Sequence, residues 1–376
     1  MLEEMAAKTS QVAQGMDGNG GEAHPQAFHV VGPRNLSSPN WRDLISSSWK
    51  DGNYRRTVMA CFIQAAYLLE YDRQENRTKE NALAPKWWLP FKFKLVKTLI
   101  DERDGSIFGA MLEWDRSAAV ADLILVRPNG APRAVLALRG TILKSSTIKR
   151  DLQDDLRFLA WETLKGSVRF KIAFEALKSI AIKYGSANVC IAGHSLGAGF
   201  ALQVGKALAK EGIYAEAHLF NPPSVSLATS LKNIGEKAAF AWKRVRAMLP
   251  SGGEIQGITD DQSDVTNVSL KKWVPHLYIN NSDYVCCYYT DPSKIGGGNN
   301  ANLAAAKLFV LSRGNQKFLE AHKLDQWWAD DLELQTVINS SKLITQQLKS
   351  LYQLPTSHLV SPGQMTGRFF TADVEH

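Results

Sequence analysis

Residues 188–208 read NVCIAGHSLGAGFALQVGKAL: an apolar run stops at Gly193, presents Ser195 among small residues, and resumes at helical spacing. With a strand entering and a helix leaving, Gly193-His194-Ser195-Leu196-Gly197 would be a nucleophile elbow, the G-x-S-x-G turn that lifts a serine hydroxyl above the end of a sheet. Such a turn strains the serine backbone and brings strand and helix together. Gly193 and Gly197 stand where side chains would otherwise collide. A helix starting near Leu196 also aims unpaired N–H groups at any oxyanion formed beside the serine. On pattern alone the same five residues could be a plain strand-to-helix turn; the bracketing elements favour the elbow.

Outward from this stretch, long helical patterns alternate with short apolar runs, from LKGSVRFKIAFEALKSIAIKYG through ANVCIAG and FALQVGKALAKEG to AEAHLFNPP. Helix, strand, helix, strand predicts an α/β fold with a mostly parallel sheet built from right-handed crossovers. The later runs PHLYINNSD and AAAKLFVLSRG can extend it. Before it, SIFGAMLEW, AAVADLILVRP and RAVLALRG read as consecutive strands, and Val58, Cys61, Phe62, Ala65, Ala66 and Leu69 recur as in an amphipathic helix. Residues 1–38 lack apolar periodicity and are expected to form a mobile tail, leaving 39–376 as a single domain. It carries a helical cap or insertion at about 224–272, and a further helical pattern follows residue 333.

A 376-residue chain with 45% hydrophobic residues can bury a large core. The balance of 44 basic against 37 acidic residues gives +7, spread along the chain, which suits anionic lipid headgroups mildly and is too weak to argue for nucleic acid. Cys61, Cys190, Cys286 and Cys287 lack metal-ligand spacing and read as reduced, structural thiols, so neither metal nor cofactor is expected. The N-terminus is acidic where a signal peptide needs basic residues, and no apolar stretch reaches the roughly 18 residues of a membrane span. A cytoplasmic protein, soluble or peripheral to a membrane, is the expectation; oligomeric state is left open.

A serine hydroxyl needs a base and an orienting carboxylate. In the α/β-hydrolase order, acid and then histidine follow the elbow. Asp283, in the loop after the run HLYIN, is the leading acid, the alternative being that 280–283 form an ordinary polar turn. Among eight histidines, His322 in FLEAHKLDQWW and His358 in PTSHLVSPG remain as bases, with His322 preferred because it follows a strand by a loop. His194, beside the serine, points away at such a turn. Oxyanion donors are expected from Leu196 and from Thr141, which ends the run RAVLALRGT and offers both an N–H and a hydroxyl.

The steps Leu138-Arg139-Gly140-Thr141, Val189 to Ala198, and Asn280-x-x-Asp283 together resemble the class 3 lipase family of fungal-lipase-like α/β hydrolases, especially its plant intracellular branch. The resemblance spans about residues 131–328 and implies an α/β-hydrolase fold with helices flanking the sheet. It implies hydrolysis of lipid esters such as acylglycerols or phospholipids, with Ser195 as nucleophile, Asp283 as acid, His322 as base, and Thr141 and Leu196 as the oxyanion hole. The Gly-Asp-Ser-Leu esterases differ, their serine lying near the N-terminus on another sheet arrangement. This chain has Val168-Arg169-Phe170-Lys171 where relatives carry His-x-Gly-Phe, and Phe220-Asn221-Pro222-Pro223 where they carry Phe-Gly-x-Pro-Arg. Both departures are expected to reshape the rim and acyl-chain preference without touching the three catalytic side chains.

By the same resemblance, ILKSSTIKRDLQDDLRFLAW, residues 142–161, would be the lid. KWWLPFKFKLVK at 86–97 and the basic pattern at 231–248 could meet a membrane or lipid-droplet surface, or could be an edge strand and a solvated helix face. A lipase-like scaffold kept for binding is the alternative to an enzyme.

Overall fold

The computed structural model describes residues 24–34, 36, 38–44, 48–142, 168–223, 272–290, 305–314, 316–329 and 332–340. The lid candidate beyond Ile142, the insertion at 224–271, His358 and the expected tail before His24 lie outside them. Eight strands form one sheet in sequence order: β1 (Phe93–Ile100), β2 (Ile107–Trp114), β3 (Ala134–Leu138), β4 (Val189–His194), β5 (Glu216–Phe220), β6 (His276–Asn280), β7 (Ala305–Leu311) and β8 (Gln335–Ser340). β3 to β7 are parallel, and β1, β2 and β8 join antiparallel at the two sides. This is an α/β-hydrolase fold with a mainly parallel central sheet.

Side-chain alternation divides the core in two. Leu136, Leu138, Ile191, Leu219, Leu277 and Leu308 face helices α2 (Val168–Tyr184) and α3 (Leu196–Lys210). Val135, Ala137, Cys190, Ala192, Phe220 and Tyr278 face helix α1 (Gly52–Gln74), which Asp51 caps by accepting from the Asn53 N–H. α1 is buried nearly all round instead of amphipathic, because turns at Ala84–Trp87 and Leu324–Trp328 cover the side away from the sheet. Arg56 of α1 ties it to the second of these by donating to the Trp327 carbonyl at 2.9 Å.

Three readings of local pattern change. The run AAVADLILVRP is not a strand: Asp115 accepts from the Ser117 and Ala118 N–H groups and starts a helix at Arg116–Ala121, after which Leu123 turns with φ of 64°. The pattern after residue 333 begins as β8, whose Thr336, Val337 and Ile338 are β-branched and pair with β7. Residues 24–34, expected within the tail, pack on the core: Phe28 meets Trp87 edge-on at 5.1 Å, and Trp328 donates to the Val31 carbonyl at 2.8 Å.

The stretch 86–97 supplies the end of one turn and much of edge strand β1. Its Trp87, Trp88, Phe91 and Phe93 are buried, leaving Leu89 and Val96 as its exposed large apolar side chains. Among the described residues no helix is long and apolar enough to cross a membrane.

Candidate active site

The parallel strands all end on one side, and the candidate catalytic groups follow those ends: Gly140 and Thr141 after β3, Ser195 after β4, Asn221 after β5, Asp283 after β6, and His322 after β7. Ser195 has φ of 53° and ψ of −123°, a conformation that an L-residue holds only under constraint. The constraint is visible. The Ser195 N–H donates to the Phe220 carbonyl at 2.9 Å, and the Ser195 carbonyl accepts from Gly199 at 3.1 Å as α3 begins. A methyl on Gly193 would stand 2.4 Å from the Gly197 carbonyl oxygen, and one on Gly197 would stand 2.5 Å from the carbonyl oxygens of Leu138 and Arg139.

His322, at the end of the short helix α4 (Phe318–His322), puts Nε2 2.9 Å from Ser195 Oγ and Nδ1 2.9 Å from Asp283 Oδ2. A carboxylate accepts, so Nδ1–H donates to Asp283 and Nε2 is left to accept from the serine hydroxyl. Phe318 stacks on the His322 ring at 5.3 Å and Tyr284 stacks on Phe318 at 4.2 Å, fixing the imidazole plane.

Asp283 is fully buried and hydrogen-bonded on both oxygens. Oδ1 accepts the Val285 N–H at 3.0 Å; Oδ2 also accepts from Asn221 Nδ2 at 2.6 Å and from the Cys286 thiol at 3.4 Å. Burial and the neighbouring Asp283 charge push the Cys286 thiol well above its ordinary range, which keeps it a neutral donor. Asn221 is itself buried, takes φ of 48°, donates to the Ala321 carbonyl at 3.1 Å and accepts from Trp327 Nε1 at 2.6 Å. The step Phe220-Asn221-Pro222-Pro223 was expected to alter only the rim. Asn221 instead bonds Asp283 directly, because an asparagine at the end of β5 reaches the turn after β6.

Leu196 is the first residue of α3, so its N–H belongs to the turn that a helix leaves without intrahelical partners. The Gly140 N–H is taken by the Tyr67 hydroxyl at 2.8 Å, and Thr141 carries the next N–H along. Thr141, Tyr67, His194, His322 and Leu319 line one cavity of about 300 Å³ beside the serine. Sequence reading missed Tyr67 and Asn221. Neither stands in a motif that marks it: Tyr67 lies inside α1, and the bond from Asn221 to Asp283 is made across two strand ends.

Cys190, Glu216 and His218 also converge, their donor atoms within 4.8 Å of one another. Glu216 is bonded there to Arg55 and to His218 Nε2, and His218 Nδ1 meets the Tyr278 hydroxyl at 3.0 Å, so these groups satisfy one another.

Burial, reinforced by the nearby His322, lowers the His194 pKa to about 3. In the unfolded chain the same imidazole takes a proton near the ordinary value of about 6.5. Its neutral, buried form therefore supports folding fully above that pH, and the support is lost as pH falls from about 6.5 toward 3. The thermal midpoint is expected to fall across this window and to fall less steeply in His194→Gln; equal slopes would remove His194 as a contributor.

No protein-family model matches the chain. It is 28% identical, over an alignment of 354 positions that covers 84% of this chain and 98% of that protein, to a GDSL esterase/lipase of Arabidopsis thaliana. Among solved structures it is similar to a lipase from Rhizopus microsporus var. chinensis, with a TM-score of 0.37 at 14% identity over 86% of this chain and 93% of that one. It is also similar to the Rhizomucor miehei lipase propeptide complex, with a TM-score of 0.38 at 13% identity over 78% and 75% of the two chains. In this chain the serine stands in Gly-His-Ser-Leu, residues 193–196, between β4 and α3.

Proposed function

We propose that this chain is a serine carboxylic ester hydrolase acting on lipid esters, acylglycerols or phospholipids, through a Ser195-His322-Asp283 triad of the class 3 lipase kind. The observation that carries the reading is the row from Asp283 through His322 to a strained, buried Ser195, with both links 2.9 Å long. A serine alone is a weak nucleophile; an imidazole within hydrogen-bond reach and oriented from behind by a carboxylate is the arrangement that activates it. The 28% identity to a protein named an esterase/lipase supports the same chemistry.

In the proposed cycle His322 Nε2 takes the Ser195 proton as Oγ attacks the ester carbonyl. The N–H groups of Leu196 and Thr141 hold the tetrahedral oxyanion. His322 then protonates the leaving alcohol, and water repeats the sequence on the acyl-enzyme to release the acid. Asp283 holds the Nδ1–H tautomer and stabilises the imidazolium; its bonds to Asn221, Val285 and Cys286 keep it from turning away.

A substrate series tests this reading. Purified protein is expected to hydrolyse nitrophenyl esters of increasing acyl length and then emulsified acylglycerol or phospholipid vesicles, with greater rates on at least one long-chain lipid than on the acetyl ester. Absence of hydrolysis across the whole series would contradict the enzyme reading and favour a lipase-like scaffold; hydrolysis confined to short esters would contradict the lipid assignment.

A further inference from the structure

His194 is buried beside Ser195 yet takes no part in the proposed proton transfer, and Tyr67 enters the same cavity from α1 on the other side of the core. Three hydrogen bonds join them to the machinery: Gly140 N–H to the Tyr67 hydroxyl at 2.8 Å, the Tyr67 hydroxyl to His194 Nδ1 at 2.9 Å, and His194 Nε2 to the His322 carbonyl at 2.9 Å. The ends fix the direction. A backbone N–H can only donate and a carbonyl can only accept. Tyr67 therefore accepts from Gly140 and gives its own proton to His194 Nδ1, and His194 gives its Nε2 proton to the His322 carbonyl. No other proton arrangement of a neutral imidazole satisfies all three bonds.

We propose that Tyr67 and His194 are positioning residues, a buried hydrogen-bond relay that holds the oxyanion loop after β3 and the loop carrying the base in register with each other. The inference rests on the ester-hydrolase reading and extends it to two residues which that chemistry alone does not require. One end of the relay occupies the N–H of Gly140, which orients the peptide leading to the Thr141 donor. The other end pins the main chain of His322, whose ring must keep Nε2 on Ser195. His322 ends α4, and Asn221 already holds the Ala321 carbonyl before it; the His194 bond to the His322 carbonyl fixes the next peptide as well, and small misplacements of a catalytic group are costly. There is no room to slacken the Gly140 end, since a methyl there would lie 2.6 Å from the Tyr67 hydroxyl and 2.8 Å from the His194 carbonyl oxygen.

The test uses the full chain with a soluble short-chain ester, measuring kcat and KM separately, together with melting temperature and fluorophosphonate labelling. Tyr67→Phe keeps the ring and deletes the hydroxyl; it is expected to lower kcat about 10-fold with KM changed less than about 2-fold. His194→Leu is expected to lower kcat by up to about 100-fold. His194→Gln, whose amide can still donate toward the His322 carbonyl, should recover most of that loss. The double variant Tyr67→Phe with His194→Leu should be no slower than His194→Leu alone, because one relay is cut only once. Wild-type activity with additive losses, losses expressed in KM, or unchanged kcat in Tyr67→Phe would overturn the relay while leaving the hydrolase reading standing. A wild-type protein that neither hydrolyses esters nor takes the label would overturn the hydrolase reading itself. If His194→Leu does not fold, Tyr67→Phe and His194→Gln still decide the matter.

Discussion

Replacing Ser195 with alanine is expected to lower kcat for ester hydrolysis by on the order of 10⁶-fold while leaving the protein folded. In the proposed cycle the loss is large because the other groups would have nothing to act on: His322 would take a proton only from a hydroxyl at its Nε2, and the proposed oxyanion donors would stabilise a charge that forms only when Oγ attacks. The fold should tolerate the change because alanine retains the Cβ and needs no different φ or ψ from the 53° and −123° that serine already adopts. The hydroxyl makes one side-chain hydrogen bond, to His322, so its removal leaves no other described side chain without a partner. Melting temperature should stay within a few degrees of the wild type. A variant retaining more than about a thousandth of wild-type kcat would place the nucleophile elsewhere.

The second large effect falls on stability. Gly197→Ala puts a methyl 2.5 Å from two backbone carbonyl oxygens, those of Leu138 and Arg139, and backbone at the end of a buried strand cannot step aside as a flexible side chain can. Either α3 withdraws from the β3–β4 junction or the elbow opens; both expose core and misplace Ser195. A loss of about 3 kcal/mol or more is expected, with activity falling in parallel. Gly52→Ala is the matched control. At the start of α1 an added methyl meets nothing within 4 Å, so that substitution should be neutral or stabilise by up to about 1 kcal/mol. Denaturant unfolding of both variants checks the contrast, and equal stability would mean that the strand-to-helix contact is looser than described.

The central strands were legible because a strand buried on both faces is a short apolar run, and the elbow was legible because its glycines obey a local steric rule at a fixed spacing. Asp283 and His322 could be nominated because chain order and strand ends restrict where such groups can stand. Tyr67 could not. It precedes His194 by 127 residues and sits among the many buried side chains of α1, so nothing local shows that its hydroxyl bonds both Gly140 and His194. Asn221 reads as rim for a similar reason, its bond to Asp283 being made across two strand ends. The run AAVADLILVRP misleads because branched apolar residues suggest a strand, while the decisive signal is the capping aspartate just before it, Asp115.

The central claim is that Ser195 is a nucleophile activated by His322. Incubation of the purified protein with a fluorophosphonate, followed by intact mass and peptide mapping, tests it most directly. The expected result is a single adduct on Ser195, absent from Ser195→Ala and formed far more slowly in His322→Ala. Absence of an adduct on the wild type, or an adduct of equal extent on Ser195→Ala, would contradict it.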